Sequence, residues 1–333
     1  MSPKPSDCYA SARLARLRRI AARSRAARPS ELLPGGSTFG RTPLVRLQRI
    51  RAERSGADIY VKCEWMNPAG SVKDRPALWM IRDAEARGLL RGGARTLLDS
   101  TSGNTGIALA QIAAARGHRV TLCMPANASA SRKRLLRLLG AELVLTDALE
   151  GADGARDVAR QLAEDFPERY LYLDQYSNPM NWRAHYESTA PEIWEQTEGR
   201  VTHFLAILGT SGTFTGVSRR LQELRPGIQC ITVQPNAAYH GIEGTKHYAS
   251  TEIPPIFDAG LVHRQVDVST EEAQAMARRL ACEEGLPAGT SGGAAVVAAL
   301  KVAEGLDQGL LVTILPDNVM KSLGEASWDE GRP

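Results

Sequence analysis

Asn67-Pro68-Ala69-Gly70-Ser71-Val72-Lys73-Asp74-Arg75 runs straight into a helical pattern that opens near Pro76, with Ala77, Leu78, Met80, Ile81 and Ala84 on one face. An Asn-Pro turn and a glycine thus deliver a lone lysine to a helix start. Helix starts carry free N–H groups and partial positive charge, so a cation there is disfavoured unless chemistry holds it. A desolvated lysine with a lowered pKa is a nucleophilic amine, the form a Schiff base needs. Taken alone, the stretch reads better as a solvated loop lysine. The rest of the chain changes that reading.

Upstream, Thr42 to Leu47 and Ile59 to Glu64 read as two strands, and the lysine helix runs to about Arg87 before the stops at Gly88 and Gly92-Gly93. Downstream the pattern alternates. Strands are expected at Thr96–Asp99, Val120–Met124, Glu142–Leu145, Tyr170–Leu173, Phe204–Leu208, Gln229–Val233 and Leu310–Leu315. Helices are expected at Ile107–Ala115, Ser131–Leu139, Gly154–Glu164, Gly216–Leu224, Glu271–Glu284 and Ala294–Ala303, with a polar, aromatic-bearing junction over Gln175–Trp194. Short apolar runs separated by such helices mean βαβ units: an α/β protein of two open, mostly parallel-sheet domains meeting near residue 180. Ligands in such sheets bind outside the carboxyl ends of the strands.

Three small-residue loops fall at such places: Ser100-Thr101-Ser102-Gly103-Asn104-Thr105-Gly106, Gly209-Thr210-Ser211-Gly212-Thr213-Phe214-Thr215-Gly216 and Gly289-Thr290-Ser291-Gly292-Gly293. Glycines let a backbone approach an anion, and the following helix aims N–H groups at it. One such loop is an ordinary N-cap, but three beside a lysine turn exceed what capping explains. None ends in the Lys-Ser/Thr of a nucleotide P-loop, and no GxGxxG with an acidic partner occurs, so a nucleotide is not the favoured anion.

The 333 residues, 43% hydrophobic, suffice for a large core and two domains, and a net charge of +4 does not mark a nucleic-acid binder. The charge gathers at the start, where Lys4, Arg13, Arg16, Arg18, Arg19, Arg23, Arg25 and Arg28 face only Asp7 before Glu31. Such an arm fits a transit peptide, a basic arm for nucleic acid or an acidic partner, or a helical extension packed on the body or a second subunit. No apolar run is long enough for a membrane span. Cys8, Cys63, Cys123, Cys230 and Cys282 form no CxxC pair, and no HExxH occurs, so reduced thiols in a cytoplasmic protein without a metal centre are expected.

The lysine turn, the Thr-Ser-Gly-Asn-Thr-Gly loop, Gln175-Tyr176-Ser177-Asn178-Pro179, the Gly-Thr-Ser-Gly-Thr loop and the Thr-Ser-Gly-Gly turn together resemble the motif set of the cysteine synthase (O-acetylserine sulfhydrylase) and cystathionine β-synthase family. These are fold-type II pyridoxal-phosphate enzymes, and the resemblance covers roughly residues 38 to 325 in the family's order. It implies a tryptophan synthase β-like architecture with pyridoxal 5'-phosphate in the cleft between the domains. The smaller would span 67–178 and the larger 38–66 plus 179–325, after an extension over 1–37 and before a tail over 326–333. It implies that Lys73 forms the imine with the cofactor and serves as the acid/base at the substrate α-carbon. Gly209, Thr210, Ser211, Gly212 and Thr213 would cradle the phosphate, Asn104 would meet the ring hydroxyl and Ser291 the pyridine nitrogen. Thr101, Ser102, Thr105 and Gln175 would bind the amino-acid carboxylate.

A neutral hydroxyl at the pyridine nitrogen keeps the electron sink weak, which suits β-elimination over transamination. The expected activity is formation of L-cysteine from O-acetyl-L-serine and sulfide through an aminoacrylate, in a cytoplasmic homodimer. The rivals are cystathionine β-synthase, an O-phosphoserine-dependent sulfhydrylase, another β-substituted alanine synthase, and a cofactor-binding homologue without turnover. Gln175 and Asn178 are also read as amides satisfying a strand end, and Trp182, Trp194 and His185 as packing. Pro316-Asp317-Asn318-Val319-Met320-Lys321-Ser322 departs from the family pattern of Pro-Asp-Ser-Gly, an acidic or polar residue, Arg and Tyr.

Overall fold

The computed structural model describes residues 39–53, 55–101 and 103–322. The basic extension over 1–37, the tail over 326–333 and Ser102 lie outside the described residues. The chain divides into Met1–Phe39 and Gly40–Pro333, and the fold below belongs to the second.

Four parallel strands, β3 (Thr96–Ser100), β4 (Val120–Pro125), β5 (Glu142–Thr146) and β6 (Tyr170–Tyr172), lie in the order β5-β4-β3-β6. Every residue of β3 and β4 is buried, as expected of strands covered on both faces. Their connections are α2 (Asn104–Arg116), α3 (Ala130–Leu138) and α4 (Gly151–Asp165). A six-stranded sheet holds β1 (Leu44–Arg46), β2 (Gly56–Cys63), β7 (His203–Ile207), β8 (Gln229–Pro235), β9 (Arg264–Val268) and β10 (Gln308–Leu315) in the order β1-β2-β10-β7-β8-β9. Only β1 runs antiparallel, with Leu44 opposite Lys62.

The lysine helix, α1, spans Asp74–Ala86 and buries Ala77, Leu78, Met80, Ile81 and Ala84, the periodic face read from the sequence. Between the sheets run α5 (Pro179–Ala184), a π turn (His185–Thr189) and α6 (Ala190–Gln196), and later α7 (Gly212–Leu224), α8 (Thr270–Glu284) and α9 (Thr290–Ala303). One core joins β2, β8 and β9 to α8 and α9 through Val61, Val233, Val268, Leu280 and Val296. A second lies beneath α6 and α7 around Ile193, Phe204, Phe214 and Leu221.

Three expectations are corrected. Strand β9 is not read from the sequence because only Val266 and Val268 are buried in an edge strand that turns polar residues outward. The 175–194 junction, assigned no element from the sequence, is helical from Pro179 onward; Asn178 caps α5 by accepting from Met180 N at 3.0 Å, with Pro179 in its first turn. Helices α7 and α9 begin four residues before the expected starts, so Gly212, Gly216, Gly292 and Gly293 lie inside them. Glycine is a poor helix former, which hides these turns from propensity. Packing retains the glycines: a Cβ on Gly212 would overlap the Asn181 amide, and one on Gly293 the Ala273 carbonyl of α8.

The carboxyl ends of β3, β7 and β10 meet at one cavity of about 310 Å³, lined by Ser100, Ile207, Ile314 and Pro316 among others.

Candidate active site

Lys73 sits at the cap position of α1 with helical φ/ψ of −75° and −12°, and it lines the cavity. No protein group among the described residues hydrogen-bonds its Nζ; its backbone N–H is engaged by Ser71 Oγ at 3.2 Å and its carbonyl by the Ala77 N–H at 3.1 Å. Burial pushes its pKa down, opposed by the charge of Asp317. That is a poised amine rather than a solvated loop lysine.

The rest of the turn is held by a buried polar frame. Asp74 takes the Ala69 N–H at 2.5 Å and the Ser71 hydroxyl at 3.3 Å; burial, opposed by these bonds, carries its carboxyl to about 6. Arg75 is clamped by Glu64 (2.7 and 2.8 Å) and Glu192 (2.7 and 2.8 Å). Asn67 donates to Glu64 at 2.9 Å, and Lys62 reaches Glu192 at 2.7 Å. Burial opposes the ionisation of Glu192, but hydrogen bonds and charge from Arg75 and Lys62 outweigh it and bring its carboxyl to about 2. Arg75 remains charged because the two carboxylates overcome the burial penalty.

Across the cavity, the turn from β7 into α7 carries Gly209, Thr210, Ser211, Gly212 and Thr213. Gly209, Thr210 and Thr213 line the cavity, while Ser211 and Gly212 are buried in the turn behind them. Ser211 adopts a left-handed φ of 67°, which bends the chain sharply into the helix. Among the described residues the N–H groups of Gly209 through Phe214 find no acceptor; the first satisfied one is Thr215, which donates to Ser211 O at 2.9 Å. Six consecutive open donors at a helix start form an anion cradle. Asn181 Nδ2 buttresses it from behind, donating to Thr210 Oγ1 at 3.0 Å.

His185, read as packing, meets the cradle. Its ring nitrogens contact Thr189 Oγ1 at 2.9 Å and Thr213 Oγ1 at 3.3 Å. Burial, then the cations Arg75 and Lys73, hold its pKa well below the usual range, so the ring is neutral and can orient a hydroxyl without adding charge.

Thr101, Asn104, Thr105, Gln175 and Ser291 all line the same cavity. Thr101 Oγ1 accepts from the N–H groups of Gly103 and Gly106, each at 3.2 Å, which leaves its O–H free to donate elsewhere. Gln175 accepts from Thr105 Oγ1 and donates to the Ser100 carbonyl at the end of β3, both at 2.8 Å. The two readings of this amide therefore coexist: it satisfies a strand end and faces the cavity. Among the described residues, the backbone N–H groups of Asn104 and Thr105 find no acceptor at the start of α2.

Asp317, part of the unusual segment, was not singled out by sequence reasoning. It lines the cavity and accepts from Asn104 Nδ2 at 2.6 Å. Its backbone bridges Ser71 of the lysine turn and takes the Gly289 N–H at 3.2 Å. At the opposite side stand His240, Glu243 and Lys246. Lys246 is paired with Asp153 at 3.1 Å and lies 5.0 Å from the Tyr176 ring centre. Cys63, Cys123 and Cys230 are free and buried, and burial pushes the first two up to about 12.

Comparison with known proteins fits this arrangement. Residues 37–317 match the pyridoxal-phosphate dependent enzyme family. The chain is 49% identical over 297 residues to a cysteine synthase of Aquifex aeolicus (87% of this chain, 90% of the relative). It is 45% identical over 293 residues to cysteine synthase B of Escherichia coli (88% and 95%). The crystal structure of a cysteine synthase (OASS) from Entamoeba histolytica superposes with a TM-score of 0.85 at 35% identity, covering 92% of this chain and 93% of that one. A lysine and an anion cradle lining one cavity at the strand ends, on a chain so related over 87% of its length, place the protein among the pyridoxal-phosphate-dependent enzymes, in the cysteine synthase family.

Proposed function

We propose that the protein makes L-cysteine from O-acetyl-L-serine and sulfide by β-replacement. The observation that carries this reading is the juxtaposition, at one cavity, of a Lys73 amine and six backbone N–H donors that find no partner among the described residues. The residues fit pyridoxal phosphate on that ground: the donors match a phosphate and the amine matches an aldehyde. Lys73 would hold the cofactor through Nζ, and Gly209 to Thr213 would hold its phosphate. Asn104 would donate to the ring oxygen, and Ser291 would face the pyridine nitrogen. When bound, the cofactor supplies a sink for the electron pair left at the substrate α-carbon.

The other steps fall to side chains and backbone. The Thr101 hydroxyl and the open N–H groups of Asn104 and Thr105 fit a carboxylate without any counter-charge, with Gln175 holding Thr105 in place. Lys73 Nζ, its ammonium form penalised by burial, takes the proton from the substrate Cα and returns one there after sulfide has entered.

The mouth of the cavity favours an acetyl over a phosphoryl leaving group. No arginine occurs between Pro226 and His263. Lys246 is already neutralised by Asp153, Arg132 is engaged by Glu243, and burial lowers the pKa of His240. The smaller domain (67–178) and larger domain (38–66 and 179–325) follow the two sheets in this reading. The protein would act as a cytoplasmic homodimer, its buried thiols matching a reducing compartment.

The test is cysteine formation by the cofactor-loaded protein with O-acetyl-L-serine or O-phospho-L-serine at equal concentration, alongside L-serine with homocysteine. O-Acetyl-L-serine should be strongly preferred, and Lys73→Ala should lose both the visible absorbance of bound cofactor and nearly all turnover. Preference for phosphoserine, abolished by Lys246→Ala, would make the cationic corner a phosphate site and overturn the donor assignment.

A further inference from the structure

Asn104 is gripped at both ends of its carboxamide by the segment in which this chain departs from its family's pattern. Its Nδ2 donates to Asp317 Oδ2 at 2.6 Å, and its Oδ1 accepts from Lys321 Nζ at 2.9 Å. A lysine ammonium can only donate and a carboxylate can only accept. A carboxamide caught between them has a single permitted orientation, because turning it over would set N–H against N–H and oxygen against oxygen. One Nδ2 hydrogen is spent on Asp317. The other is the donor left to offer the cavity that Asn104 lines with Lys73 and Ser291.

The two gripping residues are themselves fixed. Lys321 Nζ also donates to the Ala69 carbonyl of the lysine turn at 2.8 Å. Val72 N–H donates to the Pro316 carbonyl at 2.8 Å, and Gly289 N–H to Asp317 O at 3.2 Å. The segment therefore ties the orientation of Asn104 to the turns that carry Lys73 and Ser291. Without the ammonium, only oxygen-against-oxygen repulsion at Asp317 would keep the amide from presenting its carbonyl to an acidic ring oxygen, where two acceptors would repel.

We propose that Lys321, acting with Asp317, is a positioning residue that locks the Asn104 carboxamide so that only a donor N–H meets the hydroxyl-bearing side of the cofactor ring. This rests on the cofactor reading above. It differs from an anchoring role, in which Lys321 merely pins the chain to Ala69, by one consequence: the benefit of Lys321 requires the ring hydroxyl.

The experiment titrates apoprotein with pyridoxal 5'-phosphate and with 3-deoxypyridoxal 5'-phosphate, which lacks that hydroxyl, following cofactor fluorescence. Lys321→Met should weaken binding of the natural cofactor about tenfold, the loss of one hydrogen bond to a charged group, and leave the deoxy compound within about twofold. Lys321→Arg should restore the difference between the ligands. In an Asn104→Ala background, Lys321→Met should add no further discrimination. Equal weakening of both ligands by Lys321→Met would reduce the residue to an anchor and overturn the proposal, as would no weakening of either. Lys321→Gln, which keeps a donor but no charge and an amide that can turn, is read by the same criterion if the methionine variant does not fold. Failure of the wild type to bind pyridoxal phosphate at all would instead overturn the cofactor reading, a separate outcome.

Discussion

A single hydroxyl faces the pyridine nitrogen in the proposed arrangement. Ser291 lies in the first turn of α9, 6% exposed, on the cavity wall, and no carboxylate occupies its place. Ser291→Ala should slow turnover by about 10- to 100-fold, the loss of one or two hydrogen bonds in the transition state, with cofactor still bound. Ser291→Asp should protonate the ring nitrogen and admit side reactions, seen as pyruvate or transamination products beside cysteine. An Asp variant as fast and as clean as the wild type would remove Ser291 from this role. Lys73 lines the same cavity, and its Nζ has no hydrogen-bond partner among the described residues.

At the level of the element, the lysine turn depends on the Glu64–Arg75–Glu192 clamp more than on its own sequence. Arg75 is among the most deeply buried side chains, and its removal would strand the buried Glu64 carboxylate and leave Glu192 with Lys62 alone. Arg75→Met should therefore cost about 3–5 kcal/mol of stability, measured by denaturant unfolding of the apoprotein. Glu192 gives the pH dependence. Its folded pKa, about 2, lies below its ordinary value of 4.5. The stabilisation is thus complete above pH 4.5 and is lost as the pH falls toward 2. Glu192→Gln should flatten that acid limb while lowering stability at neutral pH; an unchanged limb would show that the clamp does not govern acid unfolding. The asparagine, aspartate and arginine of this turn were visible in the sequence. Their partners were not, because Glu192 lies 117 residues from Arg75 and reaches it only through the packing of α6.

Across the molecule, three ion pairs among the described residues join the α3 and α4 region to the segment following β8: Arg132–Glu243, Asp153–Lys246 and Arg156–Glu252. Tyr176 lies between two of them, with Arg156 5.1 Å and Lys246 5.0 Å from its ring centre. The carboxylates are 41%, 62% and 65% exposed, so each pair contributes only about 0–1 kcal/mol. Their effect should be on local opening. An Asp153→Asn, Glu243→Gln, Glu252→Gln triple variant should exchange the amide hydrogens of residues 236–252 faster, with little change in the β3 and β4 amides. Equal acceleration throughout the protein would assign the pairs to global stability instead.

What the sequence alone determined is what short-range chemistry encodes. Strand–helix alternation, the lysine turn and the small-residue loops follow from periodicity, turn residues and N-cap chemistry within a few positions, and they sufficed to identify the family. Only the tertiary structure decided how those loops are held. It starts α7 and α9 inside sequences poor in helix formers, because packing against Asn181 and Ala273 outweighs propensity. It makes His185 a neighbour of Thr213, and it brings Asp317 and Lys321 to Asn104 from more than two hundred residues away. Such partnerships depend on strand order and on which helices share a core, and no local pattern carries that information.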